Sequence, residues 1–167
     1  TSQLGVGSTF VITLPFEIAP SPEQTPDAHA APDISIAGCR LLLVEDNALN
    51  AEIAQILLTD EGATVTVVTD GKQAVEIVQN NPPDTFDAVL MDVQMPNMNG
   101  YEATRCIREL DREDADAVPI IAMSANAFAE DVSASLASGM NAHLSKPIDM
   151  RRVLATLIKY VRKRYEG

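Results

Sequence analysis

The stretch DAVLMDVQMPNMNG, residues 87–100, decides the fold class. It runs through apolar residues to one aspartate, Asp92, and then breaks into proline, asparagine and glycine. The apolar run Asp87 to Met91 is typical of a β-strand covered on both faces. The segment after it predicts a loop leading into a helix, in which Gly100 supplies a backbone geometry that other residues resist. Taken alone, Asp92 fits a helix cap or a turn as well as a functional carboxylate.

Strands and helices alternate on both sides of this stretch. The other apolar runs predict strands at RLLLV (40–44), TVTVV (64–68), PIIAM (119–123) and AHLSK (142–146). Between and after them, helices are predicted over 48–61, from Asp70 as cap to 79, over 101–110 and 130–138, and after Asp149. Leu49, Ile53, Ile56 and Leu57 share one apolar face of the first helix, the pattern of a helix that packs on a core. The class is therefore α/β, a doubly wound five-stranded parallel sheet with helices on both faces.

The segment before residue 39 has a different character. Residues 1–16 contain a glycine turn followed by a β-rich strand that Pro15 ends, and residues 17–38 are rich in proline, as in a flexible linker. We therefore predict one folded domain over 39–164 and a short tail over 165–167.

Composition excludes several classes of function. The formal net charge of -12 argues against nucleic-acid binding, which depends on cationic side chains. Cys39 and Cys106 have no metal-ligand spacing and are expected to be reduced in a cytosolic protein. No apolar run approaches the ~20 residues that span a bilayer, so this chain is expected to be cytoplasmic and without direct membrane contact.

Polar residues follow several predicted strands. They are Glu45 and Asp46, Asp92, Ser124 and Lys146. Ligands of such sheets bind at the carboxyl ends of the strands. Two carboxylates ~4 Å apart repel by ~4 kcal/mol at an effective dielectric near 20, and a hard cation such as Mg²⁺ relieves this repulsion. The ammonium group of Lys146 and the hydroxyl of Ser124 could bind an anion beside the cation. Acids, a cation, an ammonium group and a hydroxyl at one site predict phosphoryl chemistry, with Asp92 as nucleophile.

Four motifs carry a resemblance to a known family. LLLVEDNALN, AVLMDVQMPNMNG, IIAMSANA and HLSKPI, within about 39–164, resemble the response-regulator receiver domain of two-component signalling. The resemblance implies a flavodoxin-like sheet of order 2-1-3-4-5 and identifies Asp92 as the phosphoacceptor. It also implies that Asp46 and Asp92 bind Mg²⁺, that Glu45 acts mainly through water, and that the backbone carbonyl of Gln94 is a further ligand.

The resemblance assigns further roles around this centre. It implies that Lys146 contacts the phosphoryl group, next to a cis bond to Pro147, and that Ser124 is the switch hydroxyl. His143 stands where the family often has an aromatic residue and is expected to pack, with at most a modest part in the switch. Gln94 and Asn126 fall at positions that tune autodephosphorylation in the family.

The stretch GVGSTFVITLPF, residues 5–16, resembles the final turn and strand of a histidine-kinase ATPase domain. It implies that the chain is the C-terminal part of a hybrid sensor histidine kinase and is not itself expected to act on ATP. The implied partners are the phosphohistidine domain of a histidine kinase and a histidine phosphotransfer protein.

The residues leave two other hypotheses about function open. Aspartate-nucleophile phosphatases and phosphotransferases resemble this site but use a second acid two residues after the nucleophile, where Gln94 stands here. A pseudo-receiver that only binds partners would not need the acids and Lys146. The absence of G-x-G-x-x-G after the first strand of the domain argues against dinucleotide binding.

Overall fold

The computed structural model describes residues 2–3, 7–8, 35–125 and 128–165, with side chains described over 35–125 and 128–161. The chain divides into two units, Thr1–Pro32 and Asp33–Gly167. In the first unit, strand β1 (Ser2–Gln3) pairs antiparallel with β2 (Gly7–Ser8). The rest of the strand predicted up to Pro15, and the proline-rich residues 17–34, lie outside the described residues.

The second unit is a five-stranded parallel sheet with helices on both faces. Its strands are β3 (Arg40–Val44), β4 (Thr64–Val68), β5 (Ala88–Asp92), β6 (Ile120–Ser124) and β7 (Ala142–Ser145). Its helices are α1 (Ala48–Asp60), α2 (Gly71–Asn80), α3 (Gly100–Arg108), α4 (Ala129–Ala137) and α5 (Met150–Tyr165). The strand order β4-β3-β5-β6-β7 is the predicted 2-1-3-4-5.

The core lies on both faces of the sheet, which explains the continuous apolar strands. Leu42 and Val44 of β3 belong to a cluster that includes residues of α2 and α3, whereas Leu41 and Leu43 belong to one that includes residues of α1 and α5. Successive residues of a strand face opposite sides, so a strand covered on both sides has no polar alternation. The burial of Ile36 in the second cluster places the start of the packed unit before the predicted boundary at residue 39.

Helix α1 differs from the prediction in the face that it turns to the core. Leu49, Ile53, Ile56 and Leu57 are 36–64% exposed. The buried residues of α1 are instead Ala51, Ala54 and Leu58. The small side chains of Ala51 and Ala54 let the helix lie close to the sheet beside the buried Leu58, while the other large apolar side chains of the helix stay exposed. We call Leu49, Ile53, Ile56 and Leu57 the apolar α1 surface.

Candidate phosphoacceptor site

Three carboxylates meet at the carboxyl edge of the sheet. Strands β3 and β5 are parallel neighbours, and Val44 pairs with Met91. Glu45 and Asp92 come directly after this pair, so they lie at the same level of the sheet edge, and both are buried. Asp46 is exposed beside them. One oxygen from each of Glu45, Asp46 and Asp92 lies within 4.8 Å of the other two, and such an oxygen cluster fits a divalent cation such as Mg²⁺.

Lys146, which follows β7, joins two of these acids. Its Nζ donates to Glu45 Oε2 and to Asp92 Oδ2, each over 2.6 Å. Burial lowers the pKa of Lys146, but hydrogen bonds and charge attraction from Asp92 and Glu45 outweigh it, so the pKa lies above the ordinary lysine value. Lys146 therefore remains an ammonium group at the site at neutral pH. The Lys146–Pro147 peptide bond is cis, the geometry that the resemblance implies.

The loop after β5 fixes the carboxylate of Asp92. The backbone N–H of Gln94 donates to Asp92 Oδ1 over 3.1 Å, while the Gln94 residue is exposed. Gly100 returns to the end of β5, where its N–H donates to Val93 O over 3.0 Å. The expected reason for Gly100 was wrong, because its φ is not positive. Space is the reason instead, since a Cβ there would lie 2.3 Å from Asp92 O.

Ser124 lies at the same edge of the sheet. It ends β6 directly after Met123, which pairs with Asp92, and it is buried. Its carbonyl accepts the backbone N–H of Lys146 over 2.7 Å. The structure thus brings Glu45, Asp46, Asp92, Ser124 and Lys146 to one edge.

His143 contacts a helix that lies beside the last strand. It lies within β7, paired with Ala122. Its Nδ1 is 2.8 Å from the hydroxyl of Ser135, a fully buried residue of α4. His143 therefore links β7 to α4. Asn126, the other residue expected to tune dephosphorylation, lies outside the described residues.

Asn50 is a site residue that the sequence analysis missed. Its Nδ2 donates to Glu45 Oε1 over 3.0 Å. The stretch EDNALN places Asn50 in the first turn of the predicted helix, close to the strand end that precedes it, but it gives no distance between Asn50 and Glu45. Asn47, in the same stretch, caps α1 by accepting from the N–H groups of Leu49 and Asn50.

Comparison with known proteins agrees with this geometry. A family model described as "Response regulator receiver domain" matches residues 41–158. Sensor protein GacS of Pseudomonas syringae pv. syringae is 41% identical over 134 residues, which cover 80% of this chain but 14% of GacS. Histidine kinase 1 of Arabidopsis thaliana is 35% identical over 156 residues, covering 74% of this chain and 13% of that protein.

Solved structures show the same architecture. The receiver domain of sensor histidine kinase PA1611 from Pseudomonas aeruginosa PAO1, solved with a magnesium ion in its active-site cleft, is 40% identical. It matches with a TM-score of 0.67, covering 75% of this chain and 99% of that one. The receiver domain of Saccharomyces cerevisiae Ssk1, solved with the phosphotransfer protein Ypd1, shares the fold at 24% identity, with a TM-score of 0.68 and coverage of 77% and 92%.

Across the described parts of the chain, no helix combines the length and apolar character needed to cross a membrane. The family match runs from the first strand of the five-stranded sheet into its last helix, and takes in all five residues that meet at its carboxyl edge. This chain belongs to the response regulator receiver domain family.

Proposed function

We propose that Asp92 accepts a phosphoryl group from a phosphohistidine and that the domain passes it to a histidine phosphotransfer protein or uses it to regulate a parent hybrid kinase. The observation that carries the proposal is the contact of Lys146 Nζ with Asp92 Oδ2 inside a cluster of three acids. A cation placed on the reacting carboxylate offsets the charge that an incoming phosphoryl group brings.

The transfer is a displacement at phosphorus. An oxygen of Asp92 forms a bond to phosphorus while the phosphorus–nitrogen bond of the phosphohistidine breaks. The electron pair of that bond stays on the imidazole nitrogen, and Asp92 becomes an acyl phosphate. Lys146, already 2.6 Å from Asp92 Oδ2, is placed to pair with the new phosphoryl oxygens.

The acids fit Mg²⁺ as the accompanying ion. Asp46 and Asp92 would hold it, with Glu45 acting mainly through water and the Gln94 carbonyl as a further ligand. When bound, the ion would supply positive charge between the carboxylates and the phosphoryl oxygens. The magnesium-bound PA1611 domain supports this assignment, since it shares the fold at 40% identity.

The response to phosphorylation is proposed to run through β6 and β7. A phosphoryl group on Asp92 would attract the hydroxyl of Ser124 and shift the loop after β6, which is a population shift between two conformations. His143 is placed to sense this shift because it joins β7 to Ser135 of α4. Gln94, together with Asn126, is proposed to tune the loss of the phosphoryl group.

A phosphotransfer partner is proposed to dock on the apolar α1 surface. This surface borders a groove of about 480 Å³ lined by Asn50, Ile53, Ala54, Leu57, Lys146, Pro147 and Ile148. Lys146 lines this groove and also contacts Asp92 of the acid cluster. A helix of the phosphotransfer partner that binds in the groove would therefore bring its histidine close to the phosphoacceptor. The Ssk1 receiver, which has the same fold, forms a complex with such a protein.

Intact-mass measurement with Mg²⁺ and a small phosphodonor tests the phosphoacceptor. The expected result is one phosphoryl adduct on the unmodified chain and none on Asp92→Asn, with Asp111→Asn as an exposed control. An adduct that persists in Asp92→Asn would refute the proposal. Sustained Mg²⁺-dependent turnover of a generic phosphate ester would instead favour the phosphatase hypothesis.

The docking surface is tested separately. Ile53→Glu should slow transfer from a phosphorylated histidine phosphotransfer domain by about tenfold or more, because it places a charge in an apolar contact. It should leave phosphorylation by a small donor unchanged. Gln55→Glu adds the same charge to the same helix away from this surface, and equal slowing by both variants would contradict the docking proposal.

A further inference from the structure

We infer that Asn50 is a positioning residue, which holds Glu45 so that Glu45 and Asp92 share Lys146. The inference rests on the proposed function of the same site and adds to it a residue outside the acids, the lysine and the switch. Asn50 lies in the first turn of α1, and its side chain reaches back toward the end of β3.

The two oxygens of Glu45 have different partners. Oε1 accepts from Asn50 Nδ2 over 3.0 Å, and Oε2 accepts from Lys146 Nζ over 2.6 Å. A carboxylate only accepts hydrogen bonds, so the Asn50 amide must present its NH₂ group to Glu45. Asn50 and Lys146 thus hold the carboxylate from two sides, which fixes its rotation.

Because Glu45 is buried, the loss of its hydrogen bond to Asn50 should affect the site. Glu45 is 1% exposed, and a buried carboxylate that loses one of its hydrogen-bond donors is destabilised by the cost of burying an unpaired acceptor. Without Asn50, the Glu45 carboxylate would turn toward the ammonium group of Lys146. Lys146 would then be drawn from Asp92, whose charge it is placed to offset. The effect on Asp92 is therefore indirect and passes through Glu45 and Lys146.

Phosphorylation kinetics test this chain of contacts. Asn50→Ala should lower the maximal rate of phosphorylation by a small donor at saturating Mg²⁺ by about tenfold. The donor concentration for half-maximal rate should change little, because Asn50 is not proposed to touch the donor. Gln55→Ala is the matched control, since it also removes an exposed amide from α1. A maximal rate for Asn50→Ala within about twofold of the control would overturn the inference.

An isosteric variant separates the hydrogen bond from a general effect of charge. Asn50→Asp replaces the NH₂ group with an acceptor, so the introduced carboxylate and Glu45 would repel each other across the same distance. It should phosphorylate more slowly than Gln55→Asp, which adds the same charge elsewhere on α1. Equal rates for the two variants would contradict a role for the donor. Urea unfolding midpoints within experimental error of the unmodified chain would show that α1 itself is intact.

A spectroscopic measurement tests, without phosphorylation, whether Asn50 helps to hold Lys146 in place. Lys146 is one of four lysines, and Lys146→Arg identifies its ammonium signal in a ¹H–¹⁵N spectrum. The signal should be protected from exchange in the unmodified chain and in Gln55→Ala, and should broaden in Asn50→Ala. Unchanged protection in Asn50→Ala would overturn the inference even if phosphorylation proceeds. An unmodified chain that accepts no phosphoryl group would refute the proposed function, while the lysine signal would still test Asn50.

Discussion

Lys146 is the residue on which the charge balance of the site depends. It bridges Glu45 and Asp92, which are both buried. Lys146→Met should lower the free energy of unfolding by about 3–5 kcal/mol, because it leaves two buried carboxylates without their shared cation. Urea unfolding without divalent ions measures this loss. Mg²⁺ should then stabilise Lys146→Met more than the unmodified chain.

The control for Lys146 is a lysine with a weak partner. Lys72 is exposed and lies 3.9 Å from Glu76 of the same helix. Exposed pairs of this kind contribute about 0–1 kcal/mol, so Lys72→Met should change the unfolding free energy little. A similar loss for both variants would show that the position of Lys146 between two acids does not add to the stability of the domain.

At Gly100, the loop after the phosphoacceptor leaves no space for a side chain. A Cβ there would lie 2.3 Å from Asp92 O and 3.0 Å from Val93 Cα. Gly100→Ala should therefore destabilise the domain by about 1–3 kcal/mol, although alanine ordinarily favours a helix by about 1 kcal/mol over glycine. Thermal unfolding measures the sign directly. Stabilisation by alanine would mean that the loop moves away without cost.

The acids, the hydroxyl and the lysine could be predicted from sequence because each lies at or just after the end of a predicted strand. A parallel sheet brings such positions to one edge whatever the details of packing. Asn50 and the spatial role of Gly100 could not be predicted in this way. Each depends on a distance between two elements, and a one-dimensional pattern gives no measure of that distance.

At the scale of elements, the strands were easier to predict from the sequence pattern than the face that a helix turns to the core. The strand β3 was predicted with its bounds because a strand buried on both faces is apolar throughout. Helix α1 was predicted with nearly correct bounds but with its core face reversed. Periodicity identifies the larger apolar side chains, whereas close packing against the sheet selects Ala51 and Ala54. Helix α1 therefore has two apolar faces, one that packs on the sheet and one, the apolar α1 surface, that is exposed.

The segment between α3 and β6 is held by an ion pair that lies outside the site motifs. Arg112 pairs with Asp114 and donates to the carbonyl oxygens of Val78, Asn81 and Pro82 at and after the end of α2. The N–H of Asp84 donates to Asp114 Oδ2 over 2.8 Å. Asp114 thus joins the connections that follow α2 and α3.

This ion pair predicts a pH dependence of stability. Burial raises the pKa of Asp114, but its bonds to Arg112 and Asp84 outweigh burial and hold the pKa below its ordinary value of 3.8. Asp114 therefore stabilises the fold above pH 3.8, and this contribution is lost as the pH falls through the lower folded value. Asp114→Asn should cost about 1–3 kcal/mol near neutral pH. The difference from the unmodified chain, measured by urea unfolding, should shrink on acidification.

An exposed acid in the same segment is the control for this pH dependence. Asp111→Asn changes the net charge equally, but Asp111 is exposed, so its cost should be small and nearly constant with pH. If the cost of Asp114→Asn stayed the same through the acid range, the ion pair with Arg112 would not be the source of the stability.

At the scale of the whole molecule, the acid cluster couples metal binding to folding. Three carboxylate oxygens within 4.8 Å of one another repel in the folded chain and separate when it unfolds. A cation that binds the folded cluster preferentially stabilises it by about 2.7 kcal/mol at 100 times its dissociation constant. For a domain of this size, the thermal midpoint should rise by about 5–10 °C. Calorimetry with and without Mg²⁺ measures this rise.

Asp46 decides whether that stabilisation arises at the proposed site. Asp46 is exposed, so Asp46→Ala should fold and should lose most of the rise in midpoint, since it removes one of the proposed direct ligands. Asp60→Ala removes the same charge from the far end of α1 and should retain the rise. If Mg²⁺ stabilised Asp46→Ala as much as the unmodified chain, the ion would bind elsewhere. The repulsion between Glu45 and Asp92 at the sheet edge would then be offset by Lys146 and not by the ion.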